Sequence, residues 1–177
     1  MGGVIIPKTY VEDIPWPLIF LAGPIRGAPC WQDHAISLIL SENKGIVIAS
    51  PRGDIRDRIK PYILVGDDTY FLRQRAWERH YLDLAGKKHQ SGAILFWLPG
   101  EIEHTCEKLY GAMTRLELGE WMTNYRHDPS VRFCVGTDGK FSELSTILYD
   151  LSLDAPDKKM FSTLEETCSE AVRLALS

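Results

Sequence analysis

Three short apolar runs constrain this chain more than anything else in it. Leu18-Ile19-Phe20-Leu21-Ala22 ends at Gly23-Pro24, Ile46-Val47-Ile48-Ala49 ends at Ser50-Pro51-Arg52-Gly53, and Ala93-Ile94-Leu95-Phe96-Trp97-Leu98 ends at Pro99-Gly100. None alternates with polar residues, so each reads as a strand covered on both faces, which is what a parallel sheet between two layers of helix provides. The Pro and Gly after each run mark where the strand stops and the chain turns.

Between the runs, apolar residues recur at helical spacing. Trp31, Ala35, Leu38 and Ile39 form one set, stopped at Asn43 to Gly45. Leu72, Ala76, Trp77, Tyr81, Leu82 and Ala85 form a second within 71–85, and Met113, Leu116, Leu118 and Trp121 a third within 111–121. Residues Val131 to Val135 read as a fourth strand, and a short strand near Lys159 to Phe161 precedes a closing amphipathic helix over Ser162 to Leu176. The stretch from Gly53 to about Asp68 reads as polar and irregular. Strand, helix, strand in repetition predicts an α/β three-layer sandwich with a mainly parallel sheet of about five strands.

A chain of 177 residues with 45% apolar and 25% charged content fits one globular domain, here 1–177. Its net charge of −4, with scattered Lys and Arg, offers no grip for a nucleic acid polymer. No apolar run approaches the length a bilayer needs, and the N-terminus lacks a basic segment followed by an apolar core. The reading is a soluble, cytoplasmic protein with no membrane partner. Cys30, Cys106, Cys134 and Cys168 form no CxxC pair and read as free thiols, Cys134 within the core, with no metal implied. No glycine-rich dinucleotide fingerprint or P-loop follows a strand, so no cofactor is expected. His80, His89 and His104 show neither triad nor metal spacing and read as surface residues, and no GxSxG elbow is present.

In parallel sheets ligands bind beyond the carboxyl ends of the strands. That rule gathers Gly23-Pro24-Ile25-Arg26, Ser50-Pro51-Arg52 and Leu98-Pro99-Gly100-Glu101 with Thr114 and Glu117 of the following helix. A carboxylate near that helix N-terminus is expected to be ionised by the dipole, although a glutamate there is ordinarily a solvated or capping residue. Glu120, one turn on, is the better solvated partner. Arg26 suits an oxyanion, and so, less strongly, does Arg52. Phe20, Trp31, Trp77 and Trp97 offer faces on which a planar base could stack, although large aromatics mostly serve the core; Phe20 and Trp97 lie nearest the expected crevice. Glu78, flanked by basic residues, reads by itself as an exposed ion-pair partner.

Ile19-Phe20-Leu21-Ala22-Gly23-Pro24, Trp77-Glu78 with Leu82 and Ala85, Ile94-Leu95-Phe96-Trp97, and Thr114-Arg115-Leu116-Glu117-Leu118-Gly119 together resemble the nucleoside 2-deoxyribosyltransferase family, in order and spacing from about residue 18 to 122. The resemblance implies a flavodoxin-like sheet and a double displacement. Glu117 would attack the anomeric carbon, expel a nucleobase and hold the sugar until another base or water takes it. It also implies a substrate site around Phe20, Gly23, Pro24, Arg26, Glu78, Trp97 and Thr114, with Phe20 lining the sugar or base site and Glu78 in place of a substrate-contacting aspartate. The ligands would be a nucleoside or nucleotide and a free nucleobase, and the protein a homo-oligomer.

Two features depart from that pattern. The family's aspartate six residues before the nucleophile, which helps protonate the departing base, is replaced by Gly111; Glu101, Glu103 and Glu107 are the candidates to substitute. Arg26-Gly27 instead looks like the Ile-Arg-Gly loop of the related 2′-deoxynucleoside 5′-phosphate N-hydrolases, which helps hold a phosphate. Three readings follow: a transferase on deoxyribonucleosides, a hydrolase on nucleoside monophosphates, or a noncatalytic nucleotide-binding domain.

Overall fold

A computed structural model describes residues 2–14, 17–52, 68–87, 91–104 and 106–177. Residues 53–67 of the stretch read as irregular, and His89, lie outside the described residues. In chain order the elements are β1 (Val4–Ile5), β2 (Leu18–Ala22), α1 (Trp31–Glu42), β3 (Val47–Ala49), α2 (Asp68–Gly86) and β4 (Gly92–Leu98). They continue with α3 (Ala112–His127), β5 (Phe133–Thr137), α4 (Leu144–Asp154), β6 (Met160–Phe161) and α5 (Leu164–Leu176).

All six strands join one parallel sheet in the order β1-β3-β2-β4-β5-β6. The fold is a flavodoxin-like three-layer sandwich, and its parallel sheet between two layers of helix is what the unalternating runs predict. Successive side chains on each strand point to opposite faces, and both faces are covered. Phe20, Ile94, Phe96 and Leu98 pack with Trp77, Leu118 and Trp121 beneath α2, α3 and α4. Ile19, Leu21, Leu95 and Trp97 pack with Trp31, Ala35, Cys168 and Val172 beneath α1 and α5. Cys134 lies in this second core, and all four cysteines are free thiols. Thr163 caps α5 by accepting from the Glu166 amide at 3.2 Å, the arrangement its Thr-x-x-Glu spacing encodes.

The fold has two elements beyond those expected, one strand and one helix. The two-residue edge strand β1 is too short to show periodicity. Helix α4 has Leu148, Tyr149 and Leu153 exposed, and its N-cap is Glu143 in a left-handed conformation with no capping bond, so neither pattern nor start signal marks it. Two helical sets are also corrected. Leu72 is 63% exposed and Ala76 is exposed, while Leu116 is 65% exposed with Met113 beside it on the surface; α3 packs instead through Leu118, Trp121, Met122 and Tyr125.

The chain leaves β2 toward β3 on one side and leaves β4 toward β5 on the other, so the connections diverge between β2 and β4. This is the topological switch point, where the loops after neighbouring strands open a crevice. No described helix is long and apolar enough to cross a membrane.

Candidate active site

Helices α2 and α3 cover the same face of the sheet and meet along a charged seam. Its outer part is the exposed pair Arg79–Glu120 at 3.6 Å, so Glu120 is the solvated residue the sequence suggests. Its inner part is Glu117, in the second turn of α3 and only 6% exposed, ion-paired with Nη1 of Arg75. The same nitrogen donates to Oε2 of Glu78 at 3.2 Å, and Gln74 Nε2 donates to Glu78 Oε1 at 3.1 Å. One guanidinium therefore serves two carboxylates, one from each helix.

Arg75 meets Oε1 of Glu117, and Oε2 has no hydrogen-bond partner among the described residues. No fully buried side-chain oxygen among them lacks a partner, so Oε2 is not wholly sealed from solvent. One oxygen is anchored by Arg75 and the other is not.

Burial pushes the Glu117 carboxyl up from 4.5 to about 7; the Arg75 charge and hydrogen bond pull it down, and the Glu78 and Glu120 charges push it up. This corrects the expectation that the helix dipole holds Glu117 ionised, because the dipole acts over the first turn and Glu117 sits beyond it, out of water. Burial also opposes the Arg75 charge, but the two carboxylates outweigh it and its pKa is raised.

Thr114, one turn before Glu117, is buried on the same helix. Phe20 is on the same side of the sheet, 6.0 Å from Trp77 between ring centroids. At 1% exposure it is core, and it offers no open face for a base. Trp97 is on the opposite side of the sheet, where it lines a crevice of about 390 Å³ with Trp31, His34, Asp138 and Leu164. It does not join Glu117. The 23–24 corner is committed to packing: a Cβ on Gly23 would fall 2.4 Å from the Trp97 carbonyl oxygen, and the Pro24 carbonyl accepts from Trp31 Nε1 at 2.9 Å and Gln32 Nε2 at 3.4 Å. Arg52 donates to Gln32 Oε1 at 3.1 Å and to Cys30 Sγ at 2.8 Å, which ties the end of β3 to the start of α1. Arg26 is exposed and makes no ion pair among the described residues.

Gly111 is the N-cap of α3 with φ of 65°, and a Cβ there would fall 2.7 Å from the Phe141 ring. The position of the expected acid thus has neither a side chain nor room for one. Glu101, Glu103 and Glu107 are all exposed, and Glu101 pairs with His104 at 3.1 Å. None is a buried acid. His80 and His104 are on the surface, as their spacing suggests.

Arg75 is the site residue that sequence reasoning misses. Its only signal is the i, i+3 spacing to Glu78, which Arg75 shares with many exposed helix pairs and which does not reveal Glu117 on the next helix. Among the described residues, no three His, Cys, Asp or Glu side chains converge as metal ligands. A scan against protein-family models finds no match, and no curated protein matches the chain.

Proposed function

We propose that this protein cleaves the N-glycosidic bond of a (deoxy)nucleoside in the manner of the nucleoside 2-deoxyribosyltransferases, with Glu117 as nucleophile, and transfers the sugar to another base. The observation that carries the reading is Glu117 itself: a carboxylate buried at the switch-point end of a parallel sheet, held by Arg75 at Oε1, with Oε2 accepting no hydrogen bond among the described residues. A carboxylate nucleophile divides one difficult displacement into two steps through an oxocarbenium-like transition state. An excess of carboxylate over guanidinium in the seam favours the positive charge that develops on the sugar. Thr114 and Glu78 border the site, while Phe20 and the Gly23-Pro24 corner shape it from the protein interior.

A second reading, hydrolysis of a 2′-deoxynucleoside 5′-phosphate, draws on Arg26, an exposed arginine with no ion pair among the described residues. The ligands in either case are a nucleoside or nucleotide and a free base, and the free thiols fit a reducing, cytosolic setting for what would be a homo-oligomer.

Incubation with deoxyribonucleosides and their 5′-monophosphates, with and without adenine, separates the readings by chromatography. New nucleoside formed with adenine supports transfer, and base released only from monophosphates supports the second reading. No product from any of them refutes both and leaves a binding domain.

A further inference from the structure

Esterification of Glu117 has an electrostatic consequence for Arg75. The lone pair of Glu117 Oε2 forms a bond to the anomeric carbon as the carbon–nitrogen bond breaks, the bond pair leaves with the base, and the base takes a proton from water. Glu117 is then neutral. Arg75, itself partly buried, loses the charge of one partner, and a guanidinium drawn out of water is disfavoured without a counter-charge.

We infer that Glu78 is a positioning residue that keeps Arg75 paired while Glu117 is consumed as an ester, rather than a ligand of the sugar. The inference rests on the nucleophilic reading of Glu117. Each oxygen of Glu78 already accepts a hydrogen bond from its own helix, Oε2 from Arg75 and Oε1 from Gln74, so the carboxylate is held toward Arg75. The count of charges points the same way. With Glu117 ionised, two carboxylates share one guanidinium and repel each other; with Glu117 esterified, Arg75 and Glu78 form a balanced pair. Glu78 thus raises the starting state and steadies the intermediate.

The test has a stability arm and a kinetic arm. Glu117→Gln stands in for the neutral ester, and urea denaturation of wild type, E117Q, E78Q and the double variant closes a cycle that needs no activity. The double variant is expected to lose more than the sum of the singles, because only there does Arg75 lose both charges; additive losses overturn the inference. In the kinetic arm, E78Q is expected to lower kcat by about tenfold with little change in KM, because Arg75 then lacks a counter-charge only while Glu117 is esterified. An E78Q effect confined to KM assigns Glu78 to the substrate and overturns the inference, and this arm decides if the E78Q/E117Q variant does not fold. Wild type inactive on every nucleoside and nucleotide defeats the nucleophilic reading instead, while the urea cycle still reports on Arg75 and Glu78.

Discussion

Burial by itself would leave the Glu117 carboxyl neutral at neutral pH, and Arg75 is what keeps its ionised form within reach. Because the folded pKa of about 7 lies above the ordinary 4.5, the folded chain binds the proton more tightly than the unfolded chain does. The contribution of this group to stability is therefore full below 4.5 and is lost as pH rises through about 7. Wild type is expected to lose stability relative to Glu117→Gln between those values, measured as urea midpoints at pH 5 and pH 8; a constant difference would contradict the shift. Turnover is expected to change in the opposite sense and to rise through pH 7, since only the carboxylate attacks. Glu117→Gln is expected to lower kcat by roughly a thousandfold or more with the fold intact. Glu117 is singled out by the Leu116-Glu117-Leu118-Gly119 segment, but its raised pKa is not legible there, because burial and a counter-ion from another helix are properties of the packed pair.

At the scale of elements, α3 carries the proposed nucleophile and begins at the position of the expected acid. Its first residue follows Gly111 at φ of 65°, and Phe141 fills the space a side chain would need. Gly111→Asp is therefore expected to cost about 2 kcal/mol or more in urea denaturation and to leave turnover unimproved, because backbone strain and overpacking add. An active, undiminished G111D enzyme would show that Phe141 yields readily. The same helix explains a misreading: Met113 and Leu116 look like core residues by spacing, yet the buried stripe runs through Leu118, Trp121, Met122 and Tyr125. Apolar spacing fixes that a helix forms, but here two apolar residues fall just outside the face that meets the sheet. Trp121→Ala, which opens that stripe, is expected to cost about 3–5 kcal/mol by the same assay.

Across the whole molecule, the strands are shared by two cores, one under α2, α3 and α4 and one under α1 and α5. Losing either layer exposes strands that the other needs, so tryptophan fluorescence and far-ultraviolet circular dichroism are expected to report a single coincident unfolding transition; separate midpoints would contradict a sheet shared in this way. The parallel sheet and its two layers were legible because Leu18 to Ala22 and Ala93 to Leu98 are apolar at every position, which only a strand buried on both faces requires. The site was legible only in part. Glu117 and Glu78 meet through Arg75 between α2 and α3, with Thr114 buried one turn before Glu117, whereas Trp97, one residue from Phe96 in sequence, faces the other side of the sheet because neighbouring strand residues alternate. The most direct test of Glu117 as nucleophile is intact-mass and peptide mass analysis of the protein mixed with deoxyribonucleosides and their 5′-monophosphates. A sugar adduct on the peptide containing Glu117, formed in wild type and absent from Glu117→Gln, is the expected result; base release by Glu117→Gln at the wild-type rate would contradict it.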